Sequence, residues 1–390
     1  MTRIAAGTRA TQFALLAGNF AIGCGVMVVA GSLNDLTRSL GTSVALGGQL
    51  ITAAAVMMGV GAPVLAAALA GWDRRTLLVM SLAWYAAGHL LAALMPSFAA
   101  LLPVRALSVL GAAVFTPQAA AAISAMLPPA ERGRAIAFIF LGWSVASVLG
   151  MPMHSYIGES FGWRWAFALV ALLSAVAAVA VHRTMPAGIR PPSLSRQDWQ
   201  HVLTHPLLMG VVLVTVLSGA GQFTLFSYFA PYYRQVLQVD AATVSALFFW
   251  FGAFGLVGNL LLARWIDRLG PATCVTAMLV AMALSMAAWP LAAGAWSMAV
   301  VLVPWALGCF SSNSAQQARL GVAAPDLAPA LMALNTSAIY LGQAIGAAGG
   351  GALMATAGYA PLPWASLAWM AAAIALSAWL ARRMGHAPRR

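Results

Sequence analysis

The side chains able to do chemistry in this chain are few, and most stand inside long apolar runs. Arg105 lies about seven residues into the apolar stretch 98–126. A guanidinium in hydrocarbon is costly and by default marks a pathway or a ligand seat. Two readings are open for it: a charge lining a cavity, as an anion or dipole anchor, or a structural group bonded to carbonyls of the first apolar run. His154 follows Pro152 within another run. An imidazole titrates near neutral pH and is suited to carrying a proton; the alternative is a hydrogen-bonded structural histidine. His89 reads as structural. The eight carboxylates, Asp35, Asp73, Glu131, Glu159, Asp198, Asp240, Asp267 and Asp326, all fall at the ends of apolar runs or between them. Asp35 is the best carboxylate for proton coupling; otherwise it is a solvated helix end.

Neutral polar side chains gather in four other runs. The stretch 296–322 carries Ser311, Ser312, Asn313, Ser314, Gln316 and Gln317, with Cys309, Asn313, Gln316 and Leu320 on one helical face. The stretch 330–356 offers Asn335, Ser337, Tyr340 and Gln343; 206–232 sets Gln222, Phe226 and Phe229 on one face; 11–33 holds Asn19. Gln118 follows Thr116 and Pro117 beyond Arg105. The ligand contacts predicted are therefore Asn19, Arg105, Gln118, Gln222, Phe226, Asn313, Gln316, Asn335 and Tyr340. The rival reading is that these amides and hydroxyls join helices to one another. The run Phe248-Phe249-Trp250-Phe251 covers every helical face and reads as packing. Cys24, Cys274 and Cys309 are spaced for neither a disulfide framework nor a metal site. No basic residue follows Gly346–Gly351, so that stretch reads as close helix approach and not as a phosphate loop. No cofactor is predicted.

The elements that must position these residues follow from composition. The chain is 62% hydrophobic and 7% charged, against about 25% charged for a soluble protein. Lipid is the expected solvent for most of it. Apolar runs predict twelve spans: 11–33, 44–69, 76–95, 98–126, 135–158, 164–184, 206–232, 241–264, 272–291, 296–322, 330–356 and 362–383. The basic N-terminus before the first run predicts an uncleaved span rather than a removed leader. The net charge of +12 is carried by arginines alone. They are scattered among short loops, so they make no nucleic-acid footprint.

Residues 186–205 read as one long polar linker, dividing an N-terminal six-helix bundle (1–185) from a C-terminal one (206–390). With the N-terminus inside, the cytoplasmic ends hold most of the arginines and the outer ends only Arg38, Arg164 and Arg234. That asymmetry predicts both termini in the cytoplasm. The halves repeat at an offset of about 196, which sets Gly150 against Gly346. Internal repeats of this kind are a transporter signature. The fold class is thus an all-α polytopic membrane protein of two pseudo-symmetric six-helix bundles.

Several motifs carry a family resemblance. Gly142-x7-Gly150-x-Pro152 resembles the span-5 antiporter motif of the major facilitator superfamily, and Leu102-x2-Arg105-x5-Gly111 its span-4 arginine motif. Glu131-Arg132-Gly133-Arg134-Ala135 and Gly162-Trp163-Arg164 recur in the same places. The resemblance covers nearly the whole chain and is closest to the drug/proton and sugar-efflux branch. It implies a cavity lined by spans 1, 4, 7 and 10 and a span 5 interrupted near Gly150 and Pro152. It also implies a cytoplasmic gate at Arg264-x-x-Asp267-Arg268-x-Gly270. There Asp267 is expected against the start of span 5 near Arg134, Arg268 with Asp326, and Arg74 or Arg75 with Glu131. One departure stands out. The branch often carries an acid inside span 1, where this chain reads Cys24-Gly25-Val26. Coupling then falls to Asp35 or His154, or is absent.

The function expected is a monomeric secondary transporter of the bacterial inner membrane. It exports a small neutral or anionic organic solute or drug by alternating access, with protons as the candidate coupling ion and the lipid bilayer as its setting. Import of a small metabolite on the same fold is the alternative. A polytopic membrane enzyme is disfavoured, since no carboxylate is buried near His89 or His154.

Overall fold

A computed structural model of the chain describes residues 2–190, 196–324 and 327–385. Twelve helices in it are long and apolar enough to cross a membrane: Arg9–Ser39, Val44–Leu65, Arg74–Ala93, Phe98–Met126, Arg134–Phe161, Trp163–Thr184, Pro206–Gln235, Ala241–Leu269, Pro271–Leu291, Ala295–Ala323, Ala330–Ala357 and Leu362–Met384. We number them spans 1 to 12. Their edges follow the apolar runs, except where polar residues continue a helix beyond the apolar stretch. Span 1 runs on through Asn34 and Asp35, and span 8 through Arg264 and Asp267.

Local chemistry explains most of the ends. Asp73, Ser97 and Asp240 cap spans 3, 4 and 8, each accepting from the backbone N–H three residues on. Spans 7 and 9 open on Pro206 and Pro271, where the missing N–H costs nothing. Span 7 breaks between its helices Pro206–Phe226 and Phe229–Gln235. The cause is Pro231, which cannot donate to the carbonyl of Ser227 and crowds it. Pro152 behaves differently. The helix Pro129–Phe161 runs through it unbroken, so the expected interruption of span 5 is not there.

The chain divides by packing into two units: residues 1–43 with 56–193, and residues 44–55 with 194–390. In the first, span 1 packs along span 5. Gly142 makes this possible, because a Cβ there would lie 2.2 Å from the Leu16 carbonyl oxygen. Span 3 packs on span 6 in the same unit. In the second, span 7 packs along span 11, and a Cβ on Gly346 would lie 2.4 Å from the Ala220 carbonyl oxygen. Residues 44–55 of span 2 lie against the same region. The Tyr228 hydroxyl donates to the Ala347 carbonyl at 2.6 Å, beside Gly48 and Gly351. The polar segment expected at 186–205 contains a short helix, Arg196–Thr204.

Candidate functional site

In the first unit, three donors converge on one turn of span 1. The Tyr85 hydroxyl reaches the Ile22 carbonyl at 3.2 Å, His154 Nε2 the Cys24 carbonyl at 3.0 Å, and an Arg105 terminal nitrogen the Gly25 carbonyl at 2.9 Å. The other Arg105 terminal nitrogen lies 2.9 Å from His89 Nε2, and His89 Nδ1 lies 2.8 Å from the Tyr85 carbonyl. Arginine can only donate, so His89 Nε2 must accept and Nδ1–H must donate. His154 Nε2 faces a carbonyl and must carry its proton, which leaves Nδ1 without a partner. Tyr85, His89, Arg105 and His154 are all buried. The arrangement ties spans 3, 4 and 5 to the middle of span 1. Arg105 bonds a span-1 carbonyl, as its structural reading requires, and is buried, with its Nε unpartnered.

Further along the same unit, Asn19 donates to the Ile139 carbonyl at 3.0 Å and accepts from Thr116 Oγ at 3.0 Å. Trp143 Nε1 reaches Thr116 at 3.3 Å. Asn19 is buried, while Thr116, Gln118 and Trp143 are half-buried.

The second unit holds a counterpart on spans 7, 10 and 11. Thr215 donates to Asn335 Oδ1 at 2.6 Å, and Asn335 Nδ2 to Asn313 Oδ1 at 3.2 Å. Gln316 Nε2 donates to the Val211 carbonyl at 2.6 Å and lies 3.3 Å from Thr215 Oγ1. Thr215, Asn335 and Gln316 are buried and Asn313 is half-buried. Thr215 lies 196 positions after Asn19, and Asn335 the same distance after Ile139. The internal repeat therefore places a polar knot at one register in both units.

The remaining predicted contacts lie on other elements or faces. Phe226 belongs to an aromatic core with Phe223, Phe229 and Phe251, at ring separations of 5.2–5.6 Å. Gln222 is half-buried and Tyr340 buried. Asp35 does not stand free at a helix end: it accepts from the Trp163 N–H at 2.7 Å, capping span 6 from span 1. Its neighbour Arg38 pairs with Glu159 at 3.2 Å.

Of the expected gate, Glu131, Arg134, Asp267 and Arg268 are exposed, with Arg268 over the Trp265 ring at 5.9 Å. Asp326 lies outside the described residues. A Cβ on Gly150 would meet Cys24 at an ordinary 3.7 Å. Arg74 does not pair with Glu131. It is buried and donates to the carbonyls of Leu69, Ala70 and Trp72, because a guanidinium withdrawn from water takes the nearest acceptors.

Sequence reasoning missed Tyr85, Trp143 and Thr215, although the 196-residue offset from Asn19 points directly at Thr215. It also counted Arg319 among loop arginines. Arg319 is buried in span 10 and donates to the Ser377 hydroxyl at 3.0 Å and the Ser377 carbonyl at 3.3 Å. A third omission is Asp73. Beyond capping span 3, it accepts from the Gly188 N–H at 2.5 Å, while the Arg74 N–H donates to the Ile189 carbonyl at 2.9 Å. The segment leaving span 6 is thereby pinned to the turn between spans 2 and 3. Slight desolvation raises the Asp73 carboxyl, but the hydrogen bonds from Thr76 and Gly188 outweigh it and hold the group below its ordinary value.

Twelve spans, two repeated units and a polar knot within each define a polytopic α-helical transporter fold. The chain belongs to the Major Facilitator Superfamily, whose family model matches residues 15–347. It is 29% identical over 354 residues to the inner membrane transport protein YdhP of Escherichia coli K12, covering 90% of each chain. It is 32% identical over 252 residues to a chloramphenicol resistance protein of Streptomyces lividans, covering 64% of each. Its fold is similar to the crystal structure of a D-xylose-proton symporter, with a TM-score of 0.75 at 14% identity, over 94% of this chain and 96% of the other. Membership of a transporter family also answers the enzyme alternative.

Proposed function

We propose that this protein exports a small organic solute by alternating access, as a monomer in the bacterial inner membrane with both termini in the cytoplasm. The observation that carries the reading is the repeated polar knot. In each unit a buried group at the same register of the repeat, Asn19 or, 196 positions on, Thr215, belongs to a hydrogen-bonded chain that reaches a half-buried residue, Thr116 directly or Asn313 through Asn335. Export is favoured by the relative named for chloramphenicol resistance. The arginine asymmetry between alternate loops supports the orientation. Glu131, Arg134, Asp267, Arg268 and Asp326 remain the candidates for the cytoplasmic gate, and Gly150 and Pro152 for movement of span 5.

For coupling, His154 is the better candidate. Asp35 is engaged as a helix cap, whereas His154 keeps one unpartnered ring nitrogen in a buried setting. The test is solute flux in proteoliposomes with and without an imposed pH gradient. Saturable flux against a solute gradient, driven by the proton gradient and reduced by Asn313→Leu, is the expected result. Flux indifferent to Asn313→Leu and to the pH gradient would overturn both the site and the coupling.

A further inference from the structure

Gln316 has one amide group and uses only half of it. Its Nε2 donates to the Val211 carbonyl at 2.6 Å. A carbonyl can only accept, so the amide cannot be turned over. Its Oε1 is then left buried with no hydrogen-bond partner, on a side chain only 3% exposed. A buried acceptor left unpaired is costly, so each such group calls for an explanation. Here the neighbourhood supplies one. Gln316 sits beside Thr215, which leads through Asn335 to the half-buried Asn313. Gln316 thus lies at the inner end of a polar chain whose outer residue, Asn313, is partly open. The first unit, taken by itself, carries an orphan of the same kind at Gln118 Oε1, near the half-buried Thr116.

The buried cations point the other way. Arg105 spends its terminal nitrogens on Gly25 and His89; its Nε has no partner, but Tyr85, His89 and Ser108 around it are all buried. Arg319 spends its terminal nitrogens on Ser377. Arg74 is turned onto the carbonyls of its own loop. An organic anion needs donors, preferably charged ones. Near Asn313 and Gln316 it would meet no cation, only the neutral Asn313 amide, whose oxygen is already engaged by Asn335, and the unpaired Gln316 oxygen, which repels a carboxylate or phosphate and attracts a hydroxyl or N–H.

We propose that the solute recognised by the second unit is neutral and carries hydroxyl or N–H donors, and that Gln316 Oε1 accepts one of them, with Asn313 at the open edge of the same site. This rests on the transport reading above and narrows it, excluding organic anions from the solutes that composition alone allowed. Gln316 is then the residue that sets specificity, and Val211 and Thr215 are what hold it.

The test uses the purified full-length protein in detergent and two matched solute pairs. One pair is a neutral pentose and its aldonate; the other is an N-acyl amino alcohol and the corresponding N-acyl amino acid. Binding is read by thermal stabilisation. The expected result is stabilisation by a neutral member and at least tenfold weaker binding of its acid. Gln316→Met, which keeps the volume and removes the acceptor, should weaken the neutral solute tenfold or more, while Gln200→Met, at an exposed position outside the spans, should not. Tighter binding of either acid, no binding by either neutral solute, or unchanged binding in Gln316→Met would overturn the proposal. The pairwise comparison needs only the wild-type chain, so a variant that fails to fold leaves it decisive. Failure of the transport reading is seen separately, as the absence of exchange of a bound solute in proteoliposomes.

Discussion

Arg105 and His89 share one hydrogen bond of 2.9 Å, and it dictates the tautomer of the histidine. The guanidinium has only donors, so His89 must meet it with a lone pair and send its Nδ1 proton to the Tyr85 carbonyl. The facing nitrogens of both residues are then engaged within the protein. The pair is a brace among spans 1, 3 and 4.

That brace changes the outcome expected for Arg105→Ala. As a cavity charge, its loss would stop transport and spare folding. As a brace, its loss strands His89 and the Gly25 carbonyl in the interior and should cost roughly 3–6 kcal/mol, since each of the two hydrogen bonds to the charged group contributes about 1.5–3 kcal/mol. We predict a lower apparent Tm and reduced yield of Arg105→Ala, with partial recovery in Arg105→Lys. A variant as stable as wild type but inactive would restore the cavity reading.

Asp35 offers a separable test, because asparagine also caps helices. Asp35→Asn keeps an acceptor for the Trp163 N–H and removes the charge, whereas Asp35→Ala removes both and should cost about 1 kcal/mol. The prediction is normal stability and unchanged pH-driven flux in Asp35→Asn, reduced stability in Asp35→Ala, and loss of pH-driven flux in His154→Ala. Loss of coupling in Asp35→Asn at full stability would return Asp35 to the proton path.

The pinning of residues 188–189 by Asp73 should respond to pH. The carboxyl is held below its ordinary value in the folded chain. Its contribution is therefore present above the unfolded carboxylate value of about 3.9 and lost as pH falls through the lower folded value. Limited proteolysis after span 6 should be slow at neutral pH and faster in Asp73→Ala, and acidification below about pH 4 should speed wild type toward the variant. Equal cleavage of wild type and Asp73→Ala at neutral pH would show that the contact holds nothing.

Two glycines of span 5 should behave differently. A Cβ at Gly142 would meet the Leu16 carbonyl oxygen at 2.2 Å and the Phe20 nitrogen at 2.8 Å, while one at Gly150 would meet nothing closer than 3.7 Å. Gly142→Ala should therefore force spans 1 and 5 apart, at about 1–3 kcal/mol, and Gly150→Ala should fold as wild type. Thermal melts of the two variants decide this. Gly150→Ala that folds but does not transport would assign Gly150 to the conformational cycle rather than to packing.

The twelve spans were legible in the sequence because a bilayer accepts only long apolar helices that satisfy their own backbone. Composition and run length therefore carry the fold class directly, and the repeat at 196 residues carried the symmetry. The family, too, was readable from Arg105, Gly142, Gly150 and Pro152. What those residues do was not. An arginine in an apolar run reads the same whether it faces a cavity or a neighbouring carbonyl, and only tertiary packing brought Gly25 and His89 to it. Asp35 looks like any helix end until span 6 places the Trp163 N–H beside it. Gln316 and Gln118 were singled out by type alone; that each holds an unpaired acceptor depends on which carbonyls and hydroxyls the neighbouring helices present. Span periodicity is set within one helix, whereas the roles of buried polar groups are set between helices, by contacts 16 to 128 residues apart in the chain.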